Sequence, residues 1–241
     1  MELSKRLQAV ADLVTPGYTI ADVGTDHAYI PIYLVGKGIV QRAVAMDINE
    51  GPLDRATEHI KENKLENQIQ TRLSNGLQHL QKGEVDTVIL AGMGGNLMIN
   101  ILNEDLNKTN SLKECILQPQ SEVFKVRTFL LEKGFLFIEE NIVLDDGKYY
   151  PMMKVVPPEK TKKIKPVFWS EIEIRYGKLL LEEKNPILKQ FLERESAIRK
   201  DILSKLEQVE GTHISERKAE LNQELFQIEE GLKYYASSIW K

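Results

Sequence analysis

The residues best suited to chemistry lie in the first half of the chain, at the ends of two apolar runs. In TIADVGTDHAYI (residues 19–30) an apolar stretch meets a single glycine, Gly24, and Thr25, Asp26 and His27 then open a helix. This reads as a strand, a tight turn and a helix N-terminus. A second apolar run (residues 43–46) follows about twenty residues on and ends in Asp47. An acid at the tip of the second strand can bind the two hydroxyls of a ribose. A dinucleotide fold needs G-x-G-x-x-G, so that the backbone can approach a pyrophosphate. Here only Gly24 is present, and Asp22 and Asp26 would repel phosphate. The set suits a ribose-bearing cofactor without phosphates and with a cationic or amino group; S-adenosylmethionine fits. A reading in which Asp22 and Asp26 only cap a turn and the next helix stays open.

The elements that must position these groups follow from periodicity. A first helix is predicted over residues 4–14 with Ser4 as its cap. Strands are predicted at 19–23, 42–47, 69–73, 85–90 and 114–117, with helices at 28–37, 51–63, from about 97, and at 121–133 between and after them. The run at 85–90 is almost continuously apolar, as in a strand buried on both faces. Two further strands, 135–144 and 149–156, are joined by Asp145-Asp146-Gly147, a hairpin turn signal. Alternation gives a parallel doubly wound sheet. With a terminal antiparallel hairpin the expectation is an α/β, Rossmann-like, seven-stranded sheet of the class I methyltransferase layout. From residue 158 the pattern changes. Ile187, Phe191, Ile198, Ile202, Leu206 and Val209, then Leu221, Leu225, Ile228, Leu232, Tyr235 and Ile239, recur at steps of three and four. This predicts a C-terminal α-helical coiled-coil hairpin, with Pro186 in the first turn of its first helix. The expected domains are 1–157, cofactor-binding, and 158–241, helical.

Composition narrows the class. With 241 residues and 42% hydrophobic content the chain can bury a core. It has no apolar run near twenty residues, so no membrane span is expected, and its N-terminus does not read as a signal peptide. The single cysteine, Cys115, rules out an internal disulfide and fits a reducing cytoplasm. Four scattered histidines and no cysteine pair predict no metal site. The favoured state is a monomer. A net charge of −4 argues against a strongly basic nucleic-acid binder. Lys160, Lys162, Lys163 and Lys165 nevertheless cluster around Pro157, Pro158 and Pro166, as a basic linker able to touch phosphate or merely solvated.

Ligands of such sheets bind outside the carboxyl ends of the strands. Gly24 lets the methionine part of the cofactor lie close to the backbone, bordered by Asp22, Thr25, Asp26 and His27. Asp47 takes the ribose hydroxyls, and Ile48 packs on adenine. Asn75 and Gly76 fall where the adenine amino edge is read. Gly92, Met93 and Gly94 border the transferred methyl, although Gly94 and Gly95 can also serve only to turn the chain. The segment after the fourth strand, AGMGG, lacks the Asp/Asn-Pro-Pro-aromatic box of enzymes that methylate an exocyclic adenine amino group. Cys115 lies inside a predicted buried strand, where a nucleophilic thiol is not expected. What remains is an acceptor whose lone pair needs little activation, such as a ring nitrogen.

Together LSKRL (3–7), ADVGTDHAYIP (21–31), AMDIN (45–49), SNGL (74–77), AGMGG (91–95), LQPQ (117–120) and the helical hairpin resemble the bacterial tRNA (adenine-22-N1)-methyltransferases over nearly the whole length. The resemblance implies S-adenosylmethionine as donor and tRNA as substrate. The target base must then be unpaired or flipped and stacked on something; Tyr29, Tyr149 and Tyr150 are candidates. Asp26 and the carbonyls of Gln118 and Pro119 are candidates to favour positive charge on the base. Arg6 and His27 can meet phosphate or base, and the hairpin with Lys160, Lys162, Lys163 and Lys165 is expected to grip the tRNA. Two other classes remain open: a methyltransferase of another acceptor, and a non-catalytic RNA-binding module.

Overall fold

The computed structural model describes residues 1–158, 168–206 and 211–236. The chain divides into two compact units, Met1–Pro166 and Val167–Lys241. The first is built on a sheet of seven strands: β1 (Ile20–Val23), β2 (Ala43–Asp47), β3 (Ile69–Leu73), β4 (Thr87–Gly94), β5 (Glu114–Ser121), β6 (Leu136–Asp145) and β7 (Lys148–Val156). Their order is β3-β2-β1-β4-β5-β7-β6. The first five are parallel, and β7 runs antiparallel to both β5 and β6. Sequential strands step outward from β1 to β3, and the chain then returns to β4 on the other side of β1. The carboxyl ends of β1 and β4 therefore flank the switch point at which such sheets bind ligands. The β6–β7 turn has Asp146 at φ +45° and Gly147 at φ +73°, the left-handed pair of a tight hairpin.

The helices are α1 (Lys5–Asp12), α2 (Tyr29–Gly36), α3 (Glu50–Glu62), α4 (Gly95–Glu104), α5 (Leu106–Ser111) and α6 (Val123–Glu132). Ser4 caps α1, its hydroxyl accepting from the Leu7 N–H at 3.3 Å. Helix α5 was not expected; LNKTNS has no apolar period, and Asp105 starts the helix by accepting from the Lys108 N–H at 3.0 Å. Strands β4 and β5 run further than apolarity alone predicts. Residues 91–94 pair with 118–121 through an irregular register, Ala91 with Gln118, Met93 with Pro119 and Gly94 with Ser121. A bulge at Gly92 (φ +80°) lets pairing continue through a glycine-rich segment.

Two ionic clusters are sealed in this unit. Glu114 accepts from the Thr15 hydroxyl (2.6 Å), the Thr15 N–H (2.9 Å) and the Thr87 hydroxyl (3.0 Å), with Lys154 Nζ at 3.1 Å. Arg127 on α6 donates to Glu140 on β6 at 2.8 Å, with side chains 1% and 0% exposed. Removing one partner of a buried pair strands the other charge, which costs about 3–5 kcal/mol. Glu140→Ala is expected to lose that much stability in urea unfolding, and a loss below about 1 kcal/mol would contradict it.

The second unit holds α7 (Glu171–Tyr176), α8 (Lys178–Glu182), α9 (Pro186–Leu206) and α10 (Thr212–Lys233). Helix α7 opens with a reciprocal Ser170–Glu173 capping box. Helices α9 and α10 pack as a hairpin, tied by Arg199 to Glu224 at 3.0 Å and Lys200 to Glu229 at 3.2 Å. The seam of α9 differs from expectation. It buries Leu188, Leu192 and Ser196, while Ile198 is exposed. The cause is α7. A Cβ on Gly231 of α10 would stand 3.1 Å from Tyr176 and 3.3 Å from Leu192, so three elements converge there and turn α9 away from a simple two-helix seam. Val209 and Ile239 lie outside the described residues.

Candidate active site

Asp22 stands near the carboxyl end of β1, 7% exposed, with its Oδ2 accepting from the Thr25 hydroxyl at 2.7 Å. Burial raises its carboxyl pKa to about 6, against the lowering effect of the Thr25 bond and aided by the negative charge of Asp47. A cationic group of a ligand placed beside this buried carboxylate would favour its charged form. The turn beyond it is no phosphate cradle. The N–H groups of Gly24 and Thr25 both donate to the Met46 carbonyl, at 2.8 and 2.9 Å, and so point into the protein. Gly24 needs its φ of +75°, and a Cβ there would meet Met93 Cε at 3.1 Å.

Asp47 ends β2, accepting from the Asn49 N–H at 2.8 Å through Oδ1; its other oxygen has no protein partner among the described residues. Ile48 beside it is 58% exposed, an uncovered apolar side chain next to a carboxylate. After β3, the Ser74 N–H donates to the Asp47 carbonyl at 2.8 Å, which ties that loop to the β2 end. Gly76 follows at φ +54°, where a Cβ would crowd Ile101 at 3.1 Å. Asn75 is exposed at the same edge. These residues form a strip fit for a nucleoside: a carboxylate for the ribose, apolar and amide surfaces for the base. Asp22 supplies the complementary charge for an amino group. The residues present thus fit S-adenosylmethionine.

On the other side of the switch point, one cleft is lined by Asp22 and Gly24 together with Tyr29, Gly92, Gln120 and Arg6. Arg6 comes from α1. Its backbone N–H donates to Asp145 at 2.9 Å, its Nη1 donates to Gln118 Oε1 at 2.9 Å, and its guanidinium lies 5.5 Å from the centre of the Tyr150 ring. No carboxylate pairs with that guanidinium among the described residues, so a cation faces the cleft. Gln118 is fully buried, and its Nε2 donates to the Pro119 carbonyl at 3.3 Å. A Cβ on Gly92 would stand 3.4 Å from Arg6 and 3.6 Å from Gln120. Gly94 precedes α4, and a Cβ on Gly95 would strike the Ser121 carbonyl at 2.6 Å. Gly95 is therefore required by packing.

The family model described as "Methyltransferase domain" matches residues 3–153. The chain is also 31% identical to the tRNA (adenine(22)-N(1))-methyltransferase of Bacillus subtilis, over 90% of its own length and 91% of the relative's. The chain belongs to the tRNA (adenine(22)-N(1))-methyltransferase family. Similar proteins have been solved with the cofactor or with its product. A Streptococcus pneumoniae protein in complex with S-adenosyl-L-methionine superposes with a TM-score of 0.83 at 32% identity, covering 96% of this chain and 100% of that one. An M. capricolum member in complex with S-adenosyl-homocysteine gives 0.81 at 30% identity, covering 97% and 99%.

Within this family member, some site residues escaped sequence reading. Asp26 is exposed and held by Arg55 of α3, whose Nε and Nη2 donate to Oδ1 at 3.1 and 2.8 Å. It makes no capping bond to α2, whose N-cap residue is Ala28 at φ +55°. Arg55 and His59 stand four apart on α3; a basic and an aromatic residue on one helix face was the available signal. Cys115 is fully buried, and burial pushes its thiol pKa up, as its predicted inert role requires. Lys160, Lys162, Lys163 and Lys165 lie outside the described residues.

Proposed function

We propose that this chain methylates N1 of adenine 22 in tRNA with S-adenosylmethionine as donor. The observation that carries this is the near full-length relation to the B. subtilis enzyme; the buried Asp22 and the strand-end Asp47 fit the same donor. When bound, the cofactor supplies an electrophilic methyl group on a sulfonium centre. Asp22 holds the amino group of its methionine part, next to Gly24, Thr25, Asp26 and His27. Asp47 holds the ribose hydroxyls, Ile48 covers the adenine, and Asn75 and Gly76 read its edge. Gly92, Met93 and Gly94 leave room at the reacting centre, since small residues permit close approach.

Adenine N1 carries a free lone pair near neutral pH, so the protein's task is to position it. Positioning can supply roughly 7–11 kcal/mol of a barrier. N1 faces the partner strand in a duplex, so the base reacts when it is unpaired or flipped. The carbonyls of Gln118 and Pro119, with Asp26, favour the positive charge that develops on the base. Arg6 and the lysines at 160, 162, 163 and 165 contact the RNA. Residues 1–157 hold the cofactor, and residues 158–241 hold the tRNA body. The chain works as a monomer in the cytoplasm. Among the described residues no helix is long and apolar enough to cross a membrane.

The test is incubation of the full chain with unmodified tRNA and labelled S-adenosylmethionine, followed by digestion and mass spectrometry. N1-methyladenosine mapped to position 22 is expected. Cofactor binding with another nucleoside labelled, or none, would overturn the acceptor assignment and leave the fold untouched.

A further inference from the structure

The loop between β1 and α2 holds two consecutive residues other than glycine in the left-handed region, His27 at φ +65° and Ala28 at φ +55°. Such pairs are rare and cluster at functional sites, because L side chains resist that conformation. His27 carries a second anomaly. Its Nδ1 is buried and has no hydrogen-bond partner among the described residues, whereas buried polar atoms are normally satisfied. The ring is instead packed face to face. The ring centres of His27, Tyr29 and His59 form a triangle with sides of 5.1, 4.9 and 5.6 Å, and their planes lie within 26° of one another. A column of three rings would put its ends twice as far apart, so these rings overlap as offset slabs. His59 fixes the arrangement from α3, its Nδ1 3.3 Å from the His27 carbonyl oxygen. Asp26 lies 3.4 Å from His27 Nε2 and is itself held by Arg55. His27 and Tyr29 line the cleft shared with Asp22 and Gly92, and Tyr29 is 36% exposed.

From this geometry we infer that His27, Tyr29 and His59 form the platform on which the extruded adenine stacks, with His59 as a positioning residue that holds the other two rings. The inference rests on the proposed tRNA acceptor. An extruded base needs a π surface, and stacking is worth enough per base that removing a ring is felt in rate. The face of the Tyr29 ring also attracts a cation, so the platform favours the base as it acquires positive charge. The strained turn sets His27 beside Tyr29 in place of an ordinary capped helix start.

The test uses the full chain, unmodified tRNA, and tRNA with 2-aminopurine in place of adenine 22. Tyr29→Ala and His59→Ala are each expected to slow single-turnover methylation about 10-fold, with S-adenosylmethionine affinity unchanged. Both should brighten the 2-aminopurine bound to the protein, because an extruded base without a stacking partner is less quenched. His59→Phe should restore part of the rate, since it keeps a ring against His27 and Tyr29 but loses the Nδ1 contact to the His27 carbonyl. The platform is overturned if both alanine variants methylate at the parent rate with unchanged emission. It is also overturned if they weaken cofactor binding in proportion to rate, which would place the rings against the donor. An unsubstituted chain that makes no N1-methyladenosine instead removes the acceptor reading, and the platform with it.

Discussion

Asp22→Asn is expected to raise the melting temperature of the ligand-free protein while depriving it of usable S-adenosylmethionine binding. Asp22 is 7% exposed, its one neutral donor is the Thr25 hydroxyl, and its pKa is raised from 3.8 to about 6. Between those values the folded protein binds a proton that the unfolded chain has released. Stability contributed by this group is therefore present below pH 3.8 and falls as pH rises through about 6. A difference of about two pH units, at about 1.4 kcal/mol each, puts the burden near 3 kcal/mol at neutral pH. Asparagine removes the charge and can still accept from Thr25. At 2–4 °C per kcal/mol for a chain of this size, the gain should be about 5 °C or more at pH 7.5 and should vanish by pH 4. Binding goes the other way. A cationic amino group that loses a buried charged partner loses about 2–5 kcal/mol, so affinity should fall about 100-fold. In the unsubstituted protein, affinity should also weaken as pH drops below about 6. Differential scanning fluorimetry and titration calorimetry would read both. A stabilised variant with unaltered affinity would refute the role given to Asp22.

That trade of stability for binding is the kind of feature a sequence discloses only in part. Asp22, Gly24 and Asp47 were legible because their position depends on strand ends, and strand ends follow from apolar runs. The glycines at 24, 76 and 92 were legible as candidates, since each takes a backbone or spatial role that a side chain would spoil. The direction in which the Gly24 and Thr25 N–H groups point was not, because it depends on where Met46 lies across the β1–β2 pairing. The platform was hidden for the same reason. His27 and Tyr29 sit in the motif, but His59 reaches them through helix packing, and two left-handed residues that are not glycine leave no mark in composition. In the second unit the three-and-four spacing located both long helices, yet it misjudged the buried face of α9. Periodicity finds an apolar stripe, but Tyr176 and Gly231 decide which side of it is covered.

The charges of the second unit set the remaining expectation. Nearly every cation described on α9 and α10 already faces a carboxylate of the same hairpin: Lys200 with Glu229 at 3.2 Å, Lys205 with Asp201 at 2.6 Å, Arg217 with Glu220 at 2.8 Å, and Arg199 with Glu195 and Glu224. Exposed pairs of this kind are worth roughly 0–1 kcal/mol each, so RNA phosphates can displace them. Their net field is small, however, and they release few counterions. Lys160, Lys162, Lys163 and Lys165 are concentrated within six residues with one acid, Glu159, beside them. Replacing these four lysines with alanine should therefore weaken tRNA binding about 100-fold at physiological salt. It should also flatten the dependence of log affinity on log salt by about 3, at roughly 0.7–0.9 for each phosphate no longer neutralised. Replacing Lys200 and Lys205 together should change affinity less than about threefold on the same reasoning. Fluorescence anisotropy with labelled, unmodified tRNA between about 50 and 200 mM salt would decide the matter. A flattened slope in the helix variant, with the four-lysine variant unchanged, would move the phosphate-binding role onto the hairpin itself.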